Sequence, residues 1–432
     1  MNAFDLLRER GFVHSVSDAD GLRAALGAPV TFYCGFDPSA PSLTAGHLLP
    51  LMMAAHLQRA GHRPVLVAGG GTGLIGDPTG KHETRKLLDE SEVAGNVRAI
   101  AGQLARFVEL DDGAIDNAVW LRELRYLDFL RDIGRHFSVN EMLAAETYRA
   151  RLDAGQPLNF VELNYRLLQA YDFLHLFRTK GCRLQIGGSD QWGNILAGVD
   201  LIRRVEGAPA FGLVAPLLTT SSGEKMGKTA AGALWLDPAR TAPFAFYQYW
   251  INIEDAKVEQ ALGLLTFLPM ERVRALGGLR GPAAREAKAI LASELAAIVH
   301  GAEAAQAARE AARALFAGAA APDETPIRRL PTFGEYPTGV ETASRDGGVP
   351  TSSLALAELR PSIPVTELFV RTGLASSRGA ARRLILQGGA YVNEVRVTDV
   401  ESTVSRTEVP THGLLLRAGK KRYHRIVVVL DG

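Results

Sequence analysis

Between residues 30 and about 236, short apolar runs rich in β-branched residues alternate with stretches of helical periodicity. This alternation is typical of a parallel sheet whose strands are joined by crossover helices. From residue 243 the pattern becomes almost wholly helical, ending in the Ala-, Glu- and Arg-rich stretch 283–316. The predicted strands are residues 30–34, 64–68, 183–186 and 212–215.

A change of composition at residue 317 predicts a separate C-terminal module. Residues 317–362 are dense in Ala, Gly, Pro, Ser and Thr and lack periodicity, which indicates a flexible linker. Beyond them we predict a helix, then a second helix at 378–385 with Ser376 or Ser377 as its N-cap, a strand at 390–393 and a hairpin around 418–422. The module is a small α+β unit.

Charge is distributed unevenly along the chain, although the formal net charge is only +1. Residues 363–432 hold eleven Arg or Lys and six acids, whereas the preceding 362 residues hold 37 basic and 41 acidic side chains. Arg378 and Arg382 lie one turn apart on the second helix of the module. A basic module suggests a polyanionic partner such as RNA, and a solvated surface is the alternative.

The bulk properties exclude several classes of protein. A chain of 432 residues is long enough for two or three domains, and 47% hydrophobic with 22% charged residues is typical of a globular protein. No apolar run approaches the roughly 18 residues of a membrane span, and the first ten residues lack the apolar core of a secretory signal, so we expect a cytoplasmic protein. Neither Cys34 nor Cys182 lies in a zinc-binding or disulfide pattern.

The first cluster of chemistry-bearing residues runs from Tyr33 to His47 and joins a predicted strand to a helix that ends near Ala60. Its small residues and donors gather at the N-terminus of that helix, where free N–H groups and a partial positive charge suit a phosphate. Gly46 would allow a ligand close to the backbone. An ordinary strand-to-helix turn capped by His47 is the alternative.

The second cluster contains a formal GxGxxG pattern, in Gly71, Gly73 and Gly76, after the strand at 64–68. A dinucleotide-binding oxidoreductase requires a helix that opens across these glycines and continues. Here Asp77 and Pro78 interrupt the helical pattern at once, which argues against that class. The glycines instead leave room for a small ligand, and the Asp77 carboxylate could meet its ammonium group.

The third cluster begins on a helix that starts near Phe160. Tyr165, Gln169 and Asp172 have i, i+4 and i+7 spacing and share one helix face, for which a solvated surface is the alternative. The strand at 183–186 then leads into a Gly-rich turn. In a parallel sheet this turn places Asp190 and Gln191 at the carboxyl edge, where ligands bind.

The fourth cluster is the loop 225–229, Lys-Met-Gly-Lys-Thr. A Walker phosphate loop needs four residues between its glycines, but only three separate Gly223 from Gly227, and no helix follows. Two lysines in a glycine-containing loop could close over a triphosphate. Ordinary surface lysines are the alternative.

Together the four clusters resemble those of bacterial and organellar tyrosyl-tRNA synthetases, which are class I enzymes. The resemblance rests on Phe36-Asp37-Pro38 followed by Gly46-His47, and on the segments 73–77, 187–194 and 225–229, in matching order and spacing across nearly the whole chain. The C-terminal unit resembles the RNA-binding module that these enzymes share with a small-subunit ribosomal protein.

The resemblance implies an α/β architecture, with a Rossmann-like parallel-sheet catalytic domain over 1–238. A helical anticodon-stem-binding domain would follow over 239–318, then a linker over 319–362 and the basic RNA-binding domain over 363–432. It implies that the enzyme activates L-tyrosine with ATP, accompanied by Mg²⁺, and then transfers tyrosine to the terminal adenosine of tRNA(Tyr). A homodimer is expected, and no structural metal.

The resemblance also implies a role for each matching residue. Tyr33 and Asp172 would bind the tyrosine hydroxyl, Asp77, Tyr165 and Gln169 its ammonium group, and Gln185 would line the same pocket. Gln191 would face the carboxyl group being activated, and Lys225, Lys228, Thr229, Thr44 and His47 would serve the phosphates. The residues expected to bind ATP are Cys34, Gly35, Asp37, Ser39, Gly46, His47, Gly188, Asp190 and Lys228. The residues expected to bind tRNA are Lys81, Arg85, Arg378, Arg382, Arg383, Lys420 and Lys421.

Two positions depart from the family pattern. Thr44 stands where the first histidine of the His-x-Gly-His signature is usual, and Glu394 stands where a glycine is common in the turn after the strand at 390–393. The first departure concerns phosphate handling, and the second concerns a turn. Thr44 is also the one feature that favours an alternative function, that of a catalytically weakened relative acting as an RNA-binding or splicing factor.

Overall fold

The structure is a computed structural model. It describes residues 1–77, 88–144, 146–155, 158–221, 223, 225–229, 232–316, 349–355, 362–393, 395–405, 409, 413–419 and 422–429. The described residues form two compact units, one made of 1–237 with 254–287 and the other of 238–253, 288–316 and the described part from 349 onward. Across the described helices, none is long and apolar enough to cross a membrane.

The first 237 residues alternate strands and helices as predicted. The strands are β1 (Ser15–Val16), β2 (Thr31–Phe36), β3 (Arg63–Ala68), β4 (Ile115–Asp116), β5 (Cys182–Gly188), β6 (Phe211–Ala215), β7 (Lys228–Thr229) and β8 (Gly232–Ala233). The helices are α1 (Ala3–Arg10), α2 (Ala19–Ala25), α3 (Leu48–Arg59), α4 (Gly70–Ile75), α5 (Glu90–Leu104), α6 (Ala118–Leu121), α7 (Tyr126–Asp132), α8 (Val139–Leu143), α9 (Glu146–Asp153), α10 (Phe160–Lys180) and α11 (Trp192–Glu206). Short 3₁₀ helices include Ala45–His47 and Ser189–Gln191.

The main sheet has six strands in the order β1-β6-β5-β2-β3-β4. The pairs from β6 to β4 are parallel, and only β1 is antiparallel to its neighbour. All four predicted strands are confirmed, within two residues at each end, as β2, β3, β5 and β6. The predicted α/β class is therefore confirmed.

Helix α3 is buried on nearly every side, because it packs against β3, β5 and β6 as well as against helices of the same unit. Its sequence is apolar around the whole circumference, as expected for a helix with no solvent-facing stripe. Tyr33 alternates with the neighbouring β2 residues and joins a different core cluster, formed with α10 and α11. Helices α3, α10 and α11 therefore pack closely against the main sheet.

Residues 238–316 are helical, as predicted, but they do not form one unit. The helices are α12 (Pro243–Ile251), α13 (Val258–Leu265), α14 (Met270–Gly277), α15 (Ala284–His300) and α16 (Ala302–Phe316). Residues 254–287 belong to the first unit, although the sequence placed them in the second. The buried guanidinium of Arg10 explains this, since it donates to the backbone carbonyls of Gly263 at 2.9 Å, Leu268 at 3.0 Å and Thr266, and so caps the end of α13.

The C-terminal module has its own core, made by two helices and a sheet. Its elements are β9 (Thr351–Ala355), β10 (Ile363–Pro364), α17 (Val365–Arg371), α18 (Arg378–Leu386), β11 (Ala390–Val392), β12 (Val395–Arg396), β13 (Thr403–Val404), β14 (Leu414–Ala418) and β15 (Arg422–Val429). Ser377 caps α18, and β14 and β15 form the predicted hairpin.

The sheet of this module includes a strand that lies before the predicted boundary at residue 363. Strand β9 lies in the segment assigned to the linker, yet it pairs in parallel with β15 along its whole length. Its sequence is short and rich in serine, so it gave no strand signal of its own, and the pairing depends on a partner more than 70 residues later in the chain. The remaining linker residues, 319–348 and 356–361, lie outside the described part of the chain.

Candidate active site

Three of the four motif clusters meet at one edge of the sheet. Strands β5, β2 and β3 are adjacent and parallel, so the residues that follow each strand lie side by side. Asp37 follows β2, helix α4 follows β3, and the 3₁₀ helix with Asp190 and Gln191 follows β5. Helix α4 ends after six residues, which confirms that the glycine pattern does not open a dinucleotide-binding helix.

Asp37 lies at the centre of a side-chain hydrogen-bond network. The Tyr165 hydroxyl donates to its Oδ2 at 2.7 Å, and the Thr72 hydroxyl donates to its Oδ1 at 2.7 Å. Asn117 Nδ2 in turn donates to Thr72 Oγ1 at 3.0 Å. A Cβ at Gly69 would lie 2.3 Å from both Asp37 Oδ1 and Thr72 Oγ1, so glycine is required where the network passes the backbone. Asp37 was expected to contact ATP, and the structure places it against Tyr165.

Asp172 is a buried carboxylate with two side-chain donors. Trp120 Nε1 donates to its Oδ1 at 2.7 Å, and Asn117 Nδ2 donates to its Oδ2 at 2.9 Å. Burial and, to a smaller extent, the charge of Asp37 raise the pKa of Asp172, while the two donors oppose this shift because they favour the charged form; the resulting pKa is about 7. A carboxylate held in this way can accept a hydrogen bond from a phenol.

Tyr33 and Gln185 lie opposite each other on the adjacent strands β2 and β5. Their strands are in register at this pair, and both residues are buried. The Tyr33 hydroxyl donates to the backbone carbonyl of Gln169 at 3.4 Å, and burial, together with the charge of Asp172, raises its pKa well above 10. Gln185 Oε1 is buried and has no hydrogen-bond partner among the described residues. A ligand donor could satisfy it.

Gln191 and Asp77 are in direct contact. Gln191 Nε2 donates to Asp77 Oδ2 at 2.6 Å, and Asn194 Nδ2 donates to Gln191 Oε1 at 3.3 Å. The structure thus brings together the residue expected to bind an ammonium group and the residue expected to face the adjacent carboxyl group. These two groups are neighbours in every α-amino acid, so the pair matches such a ligand.

The lysine loop packs directly against the first motif. Gly227 has a left-handed φ of 89°, and a Cβ there would lie 3.1 Å from Ala45 Cβ and 3.3 Å from the Gly46 nitrogen. The loop is fixed by backbone hydrogen bonds from Leu234 N to Gly227 O and from Ala45 N to Leu234 O, both 2.8 Å. Lys225 Nζ lies 3.1 Å from Asp190 Oδ2, and this pair connects the loop to the turn after β5.

Thr44, which replaces the first histidine of the family signature, orients His47. The Thr44 backbone N–H donates to His47 Nδ1 at 3.0 Å, and Thr44 Oγ1 lies 3.0 Å from the same nitrogen. An acceptor role for Nδ1 assigns the ring proton to Nε2. The ring also lies 6.1 Å from that of Phe36.

The remaining predicted nucleotide residues differ in exposure. Gly35, Ser39 and Gly46 are exposed, whereas Cys34 is buried, which raises the pKa of its thiol to about 12. Gly188 ends β5, and a Cβ there would lie 2.8 Å from Asp190 Oδ1. The structure describes only the backbone of Lys228 and Thr229, in β7. Among the described residues, no group of three or more His, Cys, Asp or Glu could hold a metal ion.

The three predicted RNA-binding residues that the structure describes are exposed, and two of them are paired with glutamates. Arg378 pairs with Glu367 at 2.8 Å, Arg382 pairs with Glu401 at 3.0 Å, and Arg383 is exposed on the same helix. Exposed pairs of this kind contribute little to stability and can exchange for phosphate. Lys81, Arg85, Lys420 and Lys421 lie outside the described residues.

Sequence reasoning missed Thr72, Asn117 and Trp120. Thr72 donates a hydrogen bond to Asp37, and Asn117 and Trp120 donate to Asp172. Thr72 lies inside the glycine-rich tract, in which only the glycines and Asp77 were given a role. Asn117 and Trp120 belong to a short segment after β4, a strand of two residues with no alternating pattern to reveal it. The sequence offers only one signal for them: a polar and an aromatic residue follow Asp116, the acidic residue that ends β4. Such a pattern is too common to be diagnostic.

Comparison with known proteins gives a consistent result over the whole chain. The family described as tRNA synthetases class I (W and Y) matches residues 25–317, and the tyrosine–tRNA ligase SYY-like C-terminal domain matches residues 342–426. The chain is 49% identical to the tyrosine–tRNA ligase of Desulfatibacillum aliphaticivorans over 432 residues, 99% of each chain. It is 46% identical to that of Clostridium botulinum strain 657 over 432 residues, 99% of this chain and 100% of the relative.

Solved structures agree with this result. A C-terminally truncated mitochondrial tyrosyl-tRNA synthetase from Aspergillus nidulans superposes with a TM-score of 0.66 at 31% identity, covering 73% of this chain and 94% of its own. A tyrosyl-tRNA synthetase from Archaeoglobus fulgidus in complex with L-tyrosine gives 0.54 at 15% identity, covering 71% and 99%, which shows the shared fold.

Proposed function

The chain belongs to the tyrosine–tRNA ligases, class I tRNA synthetases, and from that premise we propose how its residues divide the reaction. The enzyme activates L-tyrosine with ATP to tyrosyl-adenylate and pyrophosphate, then transfers tyrosine to tRNA. The observation that supports the assignment of the site most strongly is the buried Asp172 carboxylate, held by Asn117 and Trp120 beside Tyr33. A desolvated acceptor of this kind selects a ligand with a phenolic donor.

The amino acid would lie between Asp172 and Asp77. Asp172 and Tyr33 bind its hydroxyl group, with Gln185 lining the pocket. Asp77, Tyr165 and Gln169 hold its ammonium group, and Gln191 faces its carboxyl group. Support comes from the Gln191–Asp77 contact and from the buried Gln185 oxygen without a partner among the described residues.

ATP would bind across the turn after β2, the Ala45–His47 helix and the turn after β5. Asp190 binds the ribose, and Gly46 and His47 pack against the nucleotide, near Cys34, Gly35, Asp37, Ser39 and Gly188. Lys225, Lys228 and Thr229 engage the β and γ phosphates. Mg²⁺ would arrive with ATP, bound to its phosphate oxygens. The packing of Gly227 on Ala45 and Gly46 supports this arrangement, because it brings the lysine loop to the phosphate end.

The chemistry needs no protein nucleophile. The tyrosine carboxylate attacks the α phosphorus of ATP, the bond to the bridging oxygen breaks, and pyrophosphate leaves. The protein contributes positioning of the two reactants and cationic groups for the charge on the leaving pyrophosphate. A ribose hydroxyl of the terminal tRNA adenosine then attacks the tyrosyl carbonyl and releases AMP.

ATP–pyrophosphate exchange measured with each of the twenty amino acids tests this function. We expect exchange with tyrosine and none of comparable rate with phenylalanine or tryptophan. Exchange with no amino acid would contradict the enzyme assignment and favour an RNA-binding protein that has lost catalysis.

The C-terminal module would bind tRNA through Arg378, Arg382, Arg383, Lys420 and Lys421, and Lys81 and Arg85 of the catalytic domain would also contact tRNA. Because β9 belongs to the module, a clean truncation removes residues 317–432 and not 363–432. We expect adenylate formation to stay nearly intact while tRNA affinity falls. The slope of the logarithm of tRNA affinity against the logarithm of salt concentration should become less steep by roughly 0.7 to 0.9 for each phosphate contact removed. Loss of adenylate formation would show that the module serves the active site.

We further propose a homodimer. Large exposed apolar side chains concentrate in residues 119–161, which hold eight of the eleven found among the described residues. Such a concentration is typical of an interface. Leu127, 77% exposed, offers a test, since Leu127→Asp should shift sedimentation toward the monomer. Val395→Asp, at a position 71% exposed in the C-terminal module, should not.

A further inference from the structure

Trp120 carries one of the two donors on Asp172, yet its own element gives it little support. Helix α6 has only four residues, too few to be stable without tertiary contacts. Nε1 nevertheless lies 2.7 Å from Asp172 Oδ1, which requires a fixed orientation of the indole plane. The orientation must therefore come from groups packed against the ring.

His175 provides such a contact. Its imidazole stacks on the indole of Trp120 with ring centroids 4.5 Å apart and an interplanar angle of 14°. His175 lies three residues after Asp172 on α10, so the same helix carries the acceptor and the ring that supports its donor. The stack continues toward Tyr171, whose ring centroid lies 6.3 Å from that of His175, and Tyr171 meets Phe129 at 6.0 Å.

We propose that His175 is a positioning residue for tyrosine selection: its ring, stacked on Trp120, holds the indole N–H on the Asp172 carboxylate. This inference rests on the proposed role of Asp172 in binding the phenol. His175 itself does not contact the substrate in this assignment, and it acts through the orientation of Trp120.

The charges around the two residues determine the expected pH effect. Burial lowers the pKa of His175, and nearby Arg178 lowers it further, so the imidazole is neutral near neutral pH. Asp172 faces Asp37, which disfavours its ionised form, and the phenols of Tyr33 and Tyr165, whose pKa values lie well above 10. The Trp120 hydrogen bond favours the ionised form of Asp172. If the indole is released, the Asp172 pKa rises and fewer molecules present an acceptor at pH 7.

Calorimetric titration with L-tyrosine in the absence of ATP, at several values between pH 6 and 9, tests the inference on the full-length protein. His175→Leu replaces the imidazole with an apolar side chain of similar size and so removes the ring, whereas His175→Phe keeps a ring that can stack. At pH 7 we expect tyrosine to bind about three- to tenfold more weakly to the Leu variant, as for loss of an aromatic pair. The pH at which binding is half-maximal should move upward. The Phe variant should match the wild type.

His136→Leu is the matched control, because His136 is a partly exposed histidine outside the aromatic stack. Thermal unfolding of each variant shows whether a loss of affinity reflects a loss of folding. A Leu variant that matches the control in both affinity and pH midpoint would overturn the inference. A Phe variant as impaired as the Leu variant would overturn it too, because ring stacking would then not carry the effect. Failure of the wild type to bind tyrosine would contradict the proposed function instead.

Discussion

The two ends of the proposed active site are built in opposite ways, although both belong to the unit that contains residues 1–237. At the phenol end, Asp172 is 4% exposed and takes donors from Asn117 and Trp120. At the phosphate end, Lys225 is on a loop with a side chain 47% exposed, and it pairs with Asp190, whose side chain is 30% exposed. One end is a desolvated polar network, and the other is a charged surface loop.

The difference follows from what each end must do. Selection between tyrosine and phenylalanine requires an acceptor that is already dehydrated and oriented, because water would otherwise satisfy it in place of the phenol. Pyrophosphate must instead enter as part of ATP and leave after every turnover, so its cationic partners must open to solvent. The glycine at position 227 allows the lysine loop to turn tightly against Ala45 and Gly46, while the side chain of Lys225 stays about half exposed.

Removing the charge at the phenol end should have the largest effect. Asp172→Asn leaves an amide that cannot accept from both Asn117 and Trp120, so we expect the ratio of kcat/KM for tyrosine over phenylalanine to fall by about 10² to 10⁴. The roughly 10⁵-fold selectivity known for tyrosyl-tRNA synthetases is a property of the family and sets the upper limit. Asp132→Asn, at an exposed aspartate of α7, is the control. Unchanged selectivity would remove Asp172 from the pocket.

Removing a cation at the phosphate end should act on the rate. Lys228→Ala should slow adenylate formation by on the order of 10² to 10³, as for the loss of one oxyanion donor, with little change in tyrosine affinity. Pre-steady-state measurement of tyrosyl-adenylate formation provides the test. Lys180→Ala is the matched control. Lys180 is the last residue of α10, outside the lysine loop, and it pairs with Asp112 at 2.6 Å. A loss that appears mainly in tyrosine affinity would contradict the division between the two ends.

The same contrast explains how much the sequence could predict. The bounds of four strands of the main sheet and the start of α10 were predicted closely, and the spacing of Tyr165, Gln169 and Asp172 followed from the helix itself. Asn117, Trp120 and Thr72 escaped prediction because their roles depend on contacts between segments 45 to 55 residues apart. Strand β9 escaped for the same reason, since its register with β15 exists only in the folded module.

The affinity for tyrosine, which depends on Asp172 at the phenol end, should change about tenfold with pH. With a pKa of about 7, Asp172 is ionised in roughly a tenth of molecules at pH 6 and in nine tenths at pH 8, so tyrosine should bind about tenfold more tightly at pH 8. The effect on folding has the opposite sign: because the pKa is raised above 3.8, the stability contribution of Asp172 is complete below pH 3.8 and is lost as the pH rises through 7. Calorimetric titration and thermal unfolding measure both. A flat tyrosine affinity between pH 6 and 8 would contradict the ionised acceptor.

The smallest effect is expected at Thr44, where the family usually has an imidazole. The structure gives its hydroxyl a partner, since Thr44 Oγ1 lies 3.0 Å from His47 Nδ1, but the Thr44 backbone N–H reaches the same nitrogen at 3.0 Å. Thr44→Ala removes only the first contact, so His47 should keep its tautomer, with the ring proton on Nε2.

We therefore expect Thr44→Ala to slow adenylate formation by about tenfold or less, which corresponds to roughly 1.4 kcal/mol, with tyrosine affinity unchanged. Thr44→Ser keeps the hydroxyl and should match the wild type, while His47→Ala should be slower than Thr44→Ala because it removes the imidazole itself. Pre-steady-state rates of the three variants, measured beside Lys228→Ala, decide the order. If Thr44→Ala lost as much rate as Lys228→Ala, Thr44 would be a principal phosphate ligand, and the charged loop would not dominate this end of the site.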